Sequence, residues 1–137
     1  MAAEALWAGA RAGARAGAVA AVVSGAPSTA VALYAGRDPL EPIRAAGSMV
    51  GSPTLMAGAA VHLAISLGWG VVLAAVLPRR STVLWGAAAG AAIAALDLGL
   101  LGRRFARIRA LAVRPQVADH VAFGAVAGAV LSASRSR

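Results

Sequence analysis

Four ionisable side chains, His62, Asp97, Asp119 and His120, stand in segments otherwise built from Ala, Gly, Val, Leu and Ile. A charge in an apolar layer is costly unless it is paired or neutralised, so each is a candidate for chemistry. An imidazole beside a carboxylate can exchange a proton near neutral pH, which makes a proton or ion relay one reading. The plainer reading is a polar cluster that ties helices together, with Asp97 accepting a hydrogen bond from His62 or His120 and fixing register. A third is bis-imidazole haem ligation by His62 and His120, weakened by the few aromatic side chains available to pack a macrocycle. The sequence carries no nucleophile with an adjacent base, no Gly-rich phosphate loop and no recognisable metal-ligand spacing. It therefore predicts a protein that is not an enzyme and has no metal or cofactor.

Helical spacing would bring these groups to one level. His62 lies sixteen residues before Pro78 and Asp97 fifteen after Thr82, so at ~1.5 Å per residue both sit roughly 22 to 24 Å from the turn that joins them. His120 stands fifteen residues before Arg135, at a matching height. The polar layer is then displaced from the bilayer midplane toward the two long loops. His62, Ser66, Gly70 and Ala74 form one i+4 row, and His120, Gly124, Gly128 and Ser132 form another. Gly86, Gly90 and Asp97 share a face of a third segment. Small residues four apart let helix backbones approach closely, so Gly70, Gly86, Gly90, Gly124 and Gly128 are the expected packing positions.

The elements that carry these rows are long and apolar. Residues 16–35, 54–77, 82–101 and 117–133 each have the length of a bilayer span, for which roughly 20 apolar residues suffice. With 60% hydrophobic and 13% charged residues and a mean hydropathy of +0.76, a water-soluble domain of this size could not cover itself with polar surface. The expected fold is all-α, a single integral membrane four-helix bundle over residues 1–137, with short interfacial helices in the first and third loops. Without cysteine there is no disulfide framework or thiolate metal site. The first span is the least regular: Pro27 within it predicts a kink. Arg11, Arg15 and Ser24-Gly25-Ala26 also resemble a signal peptide, but the apolar run resumes after Pro27 and a retained helix is favoured.

All thirteen basic residues are Arg, and the net charge is +8. They cluster between apolar segments instead of covering one water-exposed face, which argues against nucleic acid and for membrane-edge anchoring. Arg103, Arg104, Arg107, Arg109 and Arg114 could meet anionic lipid headgroups; the bland alternative is a loop that only anchors the bundle. Asp38, Pro39 and Glu41 read as the start of a short helix. Leu40, Ile43 and Val50 on one side of it, and Phe105, Ile108 and Ala112 in the third loop, suggest helices lying in the headgroup layer. Arginines divide seven to six between the two sides, counting Arg137, and set no orientation.

Two stretches repeat a pattern: H-L-A-I-S-L-G-W-G-V-V-L from His62 and H-V-A-F-G-A-V-A-G-A-V-L from His120. G-R-D-P-L-E-P-I-R-A from Gly36 parallels G-R-R-F-A-R-I-R-A from Gly102, and Gly13, Gly17 and Ser24 align with Gly86, Gly90 and Asp97. The chain can be read as two tandem helix pairs, which would put both chain ends on one side, though Ala/Gly-rich segments align easily. His62 to Gly70, the closing Pro78, Gly86 to Gly90, and H-V-A-F-G-A-V-A-G from His120 resemble a group of small bacterial four-helix membrane proteins classed as domains of unknown function. Gly25-Ala-Pro-Ser-Thr and Gly36-Arg-Asp-Pro-Leu-Glu are similar to actinobacterial members. That resemblance implies the fold and no activity. The chain is not similar to the small multidrug exporters of like length, since its first span has no carboxylate. The expectation is a multi-pass protein of the cell membrane, a structural or accessory bundle that meets lipid and self-associates or serves a membrane partner. The alternative is a proton- or ion-coupled small-molecule transporter using the His/Asp layer.

Overall fold

The computed structural model describes residues 1–136; Arg137, counted above among the arginines, lies outside them. The chain is helical throughout: α1 (Ala2–Val23), α2 (Ala26–Tyr34), α3 (Glu41–Gly47), α4 (Leu55–Val76), α5 (Thr82–Leu96), α6 (Gly102–Arg104), α7 (Ala106–Arg109) and α8 (Val113–Arg135). A π-helical turn, Asp97–Leu101, extends α5. Four stretches are long and apolar enough to cross a membrane, namely Ala2–Tyr34, Leu55–Val76, Thr82–Arg104 and Val113–Arg135. The outer surface agrees: Leu33, Val76, Leu84 and Leu100 are each at least 60% exposed. Apolar side chains spread over every outer face suit lipid and would be a liability in water. The protein is a multi-pass membrane bundle.

Several element boundaries differ from those the sequence suggests. The first helix begins at Ala2, not residue 16, because Ala-rich sequence with Arg11 and Arg15 on its exposed side keeps the helix going beyond the apolar run. It does not kink but stops, and a new helix starts with Pro27 in its first turn. Pro27 has no N–H to give the preceding turn, and Gly25 has little helix propensity, so the ladder gives way there. Thr54 caps α4 by accepting the Ala57 N–H at 3.2 Å.

Glycine sets how the long helices pair. On α1, a Cβ at Gly13 would lie 2.6 Å from the Gly70 carbonyl oxygen of α4, and one at Gly17 would strike the main chain of Ser66. On α8, a Cβ at Gly128 would lie 2.5 Å from the Thr82 oxygen of α5, Gly124 meets Gly86, and Gly90 meets the main chain of His120. Both pairs cross backbone against backbone, which only residues without a side chain permit. The register differs from the sequence alignment: Gly17 and Gly86, not Gly17 and Gly90, occupy matching places in their crossings. The two pairs join through α1 and α8 around Ala16, Ala20, Phe123, Ala127 and Leu131, with Leu73 and Leu77 reaching in from α4 and its end.

These pairings run antiparallel, so the N-terminus, the Pro78–Ser81 turn and the end of α8 share one end of the bundle. There Arg135 donates to the Ala74 oxygen at 3.0 Å and the Leu77 oxygen at 3.4 Å, capping the last carbonyls of α4. Arg135→Ala is expected to lower stability by about 0.5–1 kcal/mol, since the group is exposed. A melting temperature in mild detergent identical to that of the wild type would count against this cap.

The other end is closed by the long loops. Helix α3 presses on α4 where Gly58 meets the Ile43 carbonyl, and Arg107 Nη1 of α7 lies 3.4 Å from Glu41 Oε1 of α3. Asp38 is not the helix cap. Its Oδ1 accepts the Leu40 N–H at 2.9 Å, it pairs with Arg44, and Leu40 occupies the cap position. The Leu40 N–H bond, aided by Arg44, holds the Asp38 carboxyl below the ordinary carboxylate range. The third loop is two short turns instead of one helix, because Phe105 is extended between them. Leu40, Ile43 and Ile108 line a half-open cavity at this end of the bundle, so these segments cover its end as well as meeting the membrane surface. Arg103, Arg104, Arg109 and Arg114 are exposed there.

Candidate functional site

His62, Asp97, Asp119 and His120 all line one cavity of about 450 Å³ beneath the loop helices. Its walls are otherwise mainly apolar, with Ile65 and Trp69 from α4, Ile93 from α5 and Phe123 from α8. Helical rise puts the four groups at one level, and residues of α1, α2, α3, α4, α5, α7 and α8 surround the space between them. A mostly apolar chamber with a few convergent polar groups is the usual form of a small-molecule site.

The four ionisable groups make four hydrogen bonds. His120 Nε2 lies 3.2 Å from Asp97 Oδ2, and His120 Nδ1 lies 2.7 Å from the Gln116 carbonyl oxygen. A carbonyl only accepts, so Nδ1 carries a proton. The Nε2 contact then needs a second proton, held either by the ring or by the carboxyl. In both cases His120 and Asp97 together hold one transferable proton and have no net charge. Asp97 opens the π-helical turn of α5; such a turn shifts the direction of the residues in and beyond it and is frequent at functional sites.

His62 does not join this pair. Its Nε2 lies 3.1 Å from the Ala21 carbonyl oxygen, so that nitrogen is the donor and, in the neutral ring, Nδ1 is a bare acceptor. Asp119 Oδ1 accepts the Ser28 N–H at 2.9 Å. These contacts repair the broken first span. The α1 ladder ends with Ser24 N–H on Ala20 and that of α2 opens with Thr29 N–H on Gly25; His62 takes a carbonyl just before the gap and Asp119 an amide just after it. Irregular backbone at membrane depth is tolerated where partners of this kind satisfy it or where it lines a cavity, and Ser24, Gly25 and Ser28 do line this one.

Sequence reasoning missed four participants. Ser24, Ser28 and Gln116 are buried polar residues that line the cavity, as does Trp69. Gln116 could have been found, being one turn before His120 on the same face; Ser28 could not, since only the break aims its N–H at Asp119. Ser28, Pro42, Leu111 and Gln116 also line a second cavity of about 290 Å³, which reaches Arg37, Asp38 and Glu41 in the first loop. The two chambers therefore share a wall of four residues. The five glycines expected to pack all sit in the crossings described above.

Among the described residues, no group of three or more His, Cys, Asp or Glu could hold a metal ion. Bis-imidazole haem ligation fits the geometry poorly, because both Nε2 atoms are engaged and His120 has its second nitrogen engaged as well. Comparison of the chain with protein-family models, with curated proteins and with solved structures finds no match, so a functional reading rests on the cavity and its side chains.

Proposed function

We propose that this protein is a small proton-coupled transporter of the bacterial cell membrane that carries a small molecule through its His/Asp cavity. The observation that carries the reading is the chamber itself: four ionisable groups around about 450 Å³ of space, where a purely structural cluster would close on itself. Three features support it. A broken helix and a π-helical turn both border the chamber, as discontinuous helices do at membrane transport sites. The second chamber leads from the shared wall toward the charged first loop, which gives the solute a route from water. The two helix pairs, each crossing on glycine, read as copies that slipped by one turn, and such pairs are a common framework for alternating access.

A structural or accessory bundle, associating with itself or with another membrane protein, is the second reading. One observation favours it: each ionisable group in the cavity already has a protein partner. Proteoliposomes separate the two. With a pH gradient across the vesicle and a trapped pH dye, a panel of small solutes is added from outside. Transport expects at least one solute to dissipate the gradient, and expects Ile65→Cys, at a half-buried position on the cavity wall, to react with a small water-soluble thiol reagent. If no solute moves protons and the thiol is inert from both sides, the chamber is closed and the structural reading stands.

A further inference from the structure

The class of solute can be read from the charges and surfaces that face the chamber. The His120–Asp97 pair is neutral as a unit, by the hydrogen-bond argument above. His62 gives its Nε2 proton to a carbonyl and offers an acceptor. Asp119 accepts an uncharged N–H at the positive end of α2, and no salt bridge to a cationic side chain engages it among the described residues. The α1, α2, α3 and α7 residues on the chamber wall are apolar or hydroxyl-bearing and bring no further charge. With Asp119 ionised, the balance is one negative charge and several acceptors in a mainly apolar space, next to Trp69 and Phe123. Carboxylates attract an ammonium group and aromatic faces hold it by the ring quadrupole, while the apolar walls accept a hydrocarbon body.

Resting on the transport reading, we infer that the chamber binds a monovalent amphipathic organic ammonium and exchanges it for the proton held by His120 and Asp97. The cation enters with its charge toward Asp119 and Asp97. The proton leaves the pair for water, so His120 becomes a neutral imidazole and Asp97 a carboxylate. The N–H or O–H bond that held the proton breaks and an O–H bond to water forms, and the charge of the chamber is the same before and after. This exchange also explains a pair that holds a proton without using it to compensate Asp119.

The test uses the whole protein in lipid nanodiscs, with benzyltrimethylammonium and its neutral isostere neopentylbenzene, the latter corrected for partition into empty nanodiscs. Calorimetry in two buffers of different ionisation enthalpy reads both affinity and proton release. The cation is expected to bind with release of one proton, its Kd rising about tenfold for each pH unit of acidification below neutrality. The isostere is expected to bind at least about tenfold more weakly. Asp119→Asn keeps an oxygen for the Ser28 N–H and should raise the Kd for the cation about tenfold or more without affecting the isostere. Trp69→Leu leaves every hydrogen bond in place and should weaken the cation several-fold, so the test does not depend on one variant folding. Equal affinity for cation and isostere, binding without proton release, or unchanged affinity in both variants overturns the inference. Binding with proton release in nanodiscs but no movement across vesicles supports this site assignment and overturns transport, whereas vesicle transport of neutral solutes alone does the opposite.

Discussion

Gly124→Leu is expected to leave no folded bundle. A Cβ at this position would lie 2.8 Å from the carbonyl carbon of Gly86 and 2.9 Å from the nitrogen of Gly90, so it meets main chain and not a side chain that can rotate away. Overpacking that neighbouring side chains can absorb costs about 1–3 kcal/mol. Here α5 and α8 must part along their whole crossing, and the loss should exceed that range. Gly68→Leu is the control: it is also within a membrane helix, but nothing lies within 4 Å of its added Cβ. Size-exclusion profiles and thermal melting in mild detergent compare the two. Wild-type behaviour of Gly124→Leu would mean that the helices do not approach as closely as the crossing requires.

Asp97→Leu is expected to be the most damaging change in the chamber, lowering stability by roughly 1–3 kcal/mol because His120 Nε2 loses its partner in an apolar environment. Asp97→Asn should fold. Its amide can donate to a neutral imidazole whose other nitrogen stays bonded to Gln116, so the contact survives in a different form. What the amide cannot do is hold or release the proton. Transport therefore predicts normal melting with proton-coupled flux reduced to the level of empty vesicles, while the structural reading predicts no functional consequence. An Asp97→Asn protein that still dissipates a pH gradient with solute would remove the pair from the mechanism.

The level of the polar residues was legible because helical rise is fixed: counting from Pro78 and Thr82 put His62 and Asp97 at one height before any packing was known. The faces were legible too, since Gly70, Gly124 and Gly128 recur every four residues beside a histidine. Partners were less so. His62 bonds Ala21 because the first span breaks, and composition could predict an irregularity at Pro27 without saying which carbonyl would be left free. The π-helical turn after Leu96 has no sequence signal of its own and shifts the face on which Asp97 and its successors lie. The chamber was out of reach altogether, being a property of how the long helices and the loop helices meet and not of any one residue. The loop helices were legible only in part: periodicity gave Leu40, Ile43 and Ile108 an apolar side but did not say that this side also lines the cavity.

The proton count of the central pair depends on one bond that no side chain makes. His120 Nδ1 is fixed as a donor by the main-chain carbonyl of Gln116, one turn earlier on the same helix. Any residue that keeps α8 helical at position 116 supplies the same acceptor. The tautomer is thus insulated from substitution there: evolution or an engineer can change the chamber's size and polarity through Gln116 while the imidazole keeps its orientation. Altering the pair's capacity for protons requires replacing His120 or Asp97 themselves, or unwinding the first turn of α8. On the transport reading, solute choice and proton handling can accordingly diverge independently along one helix.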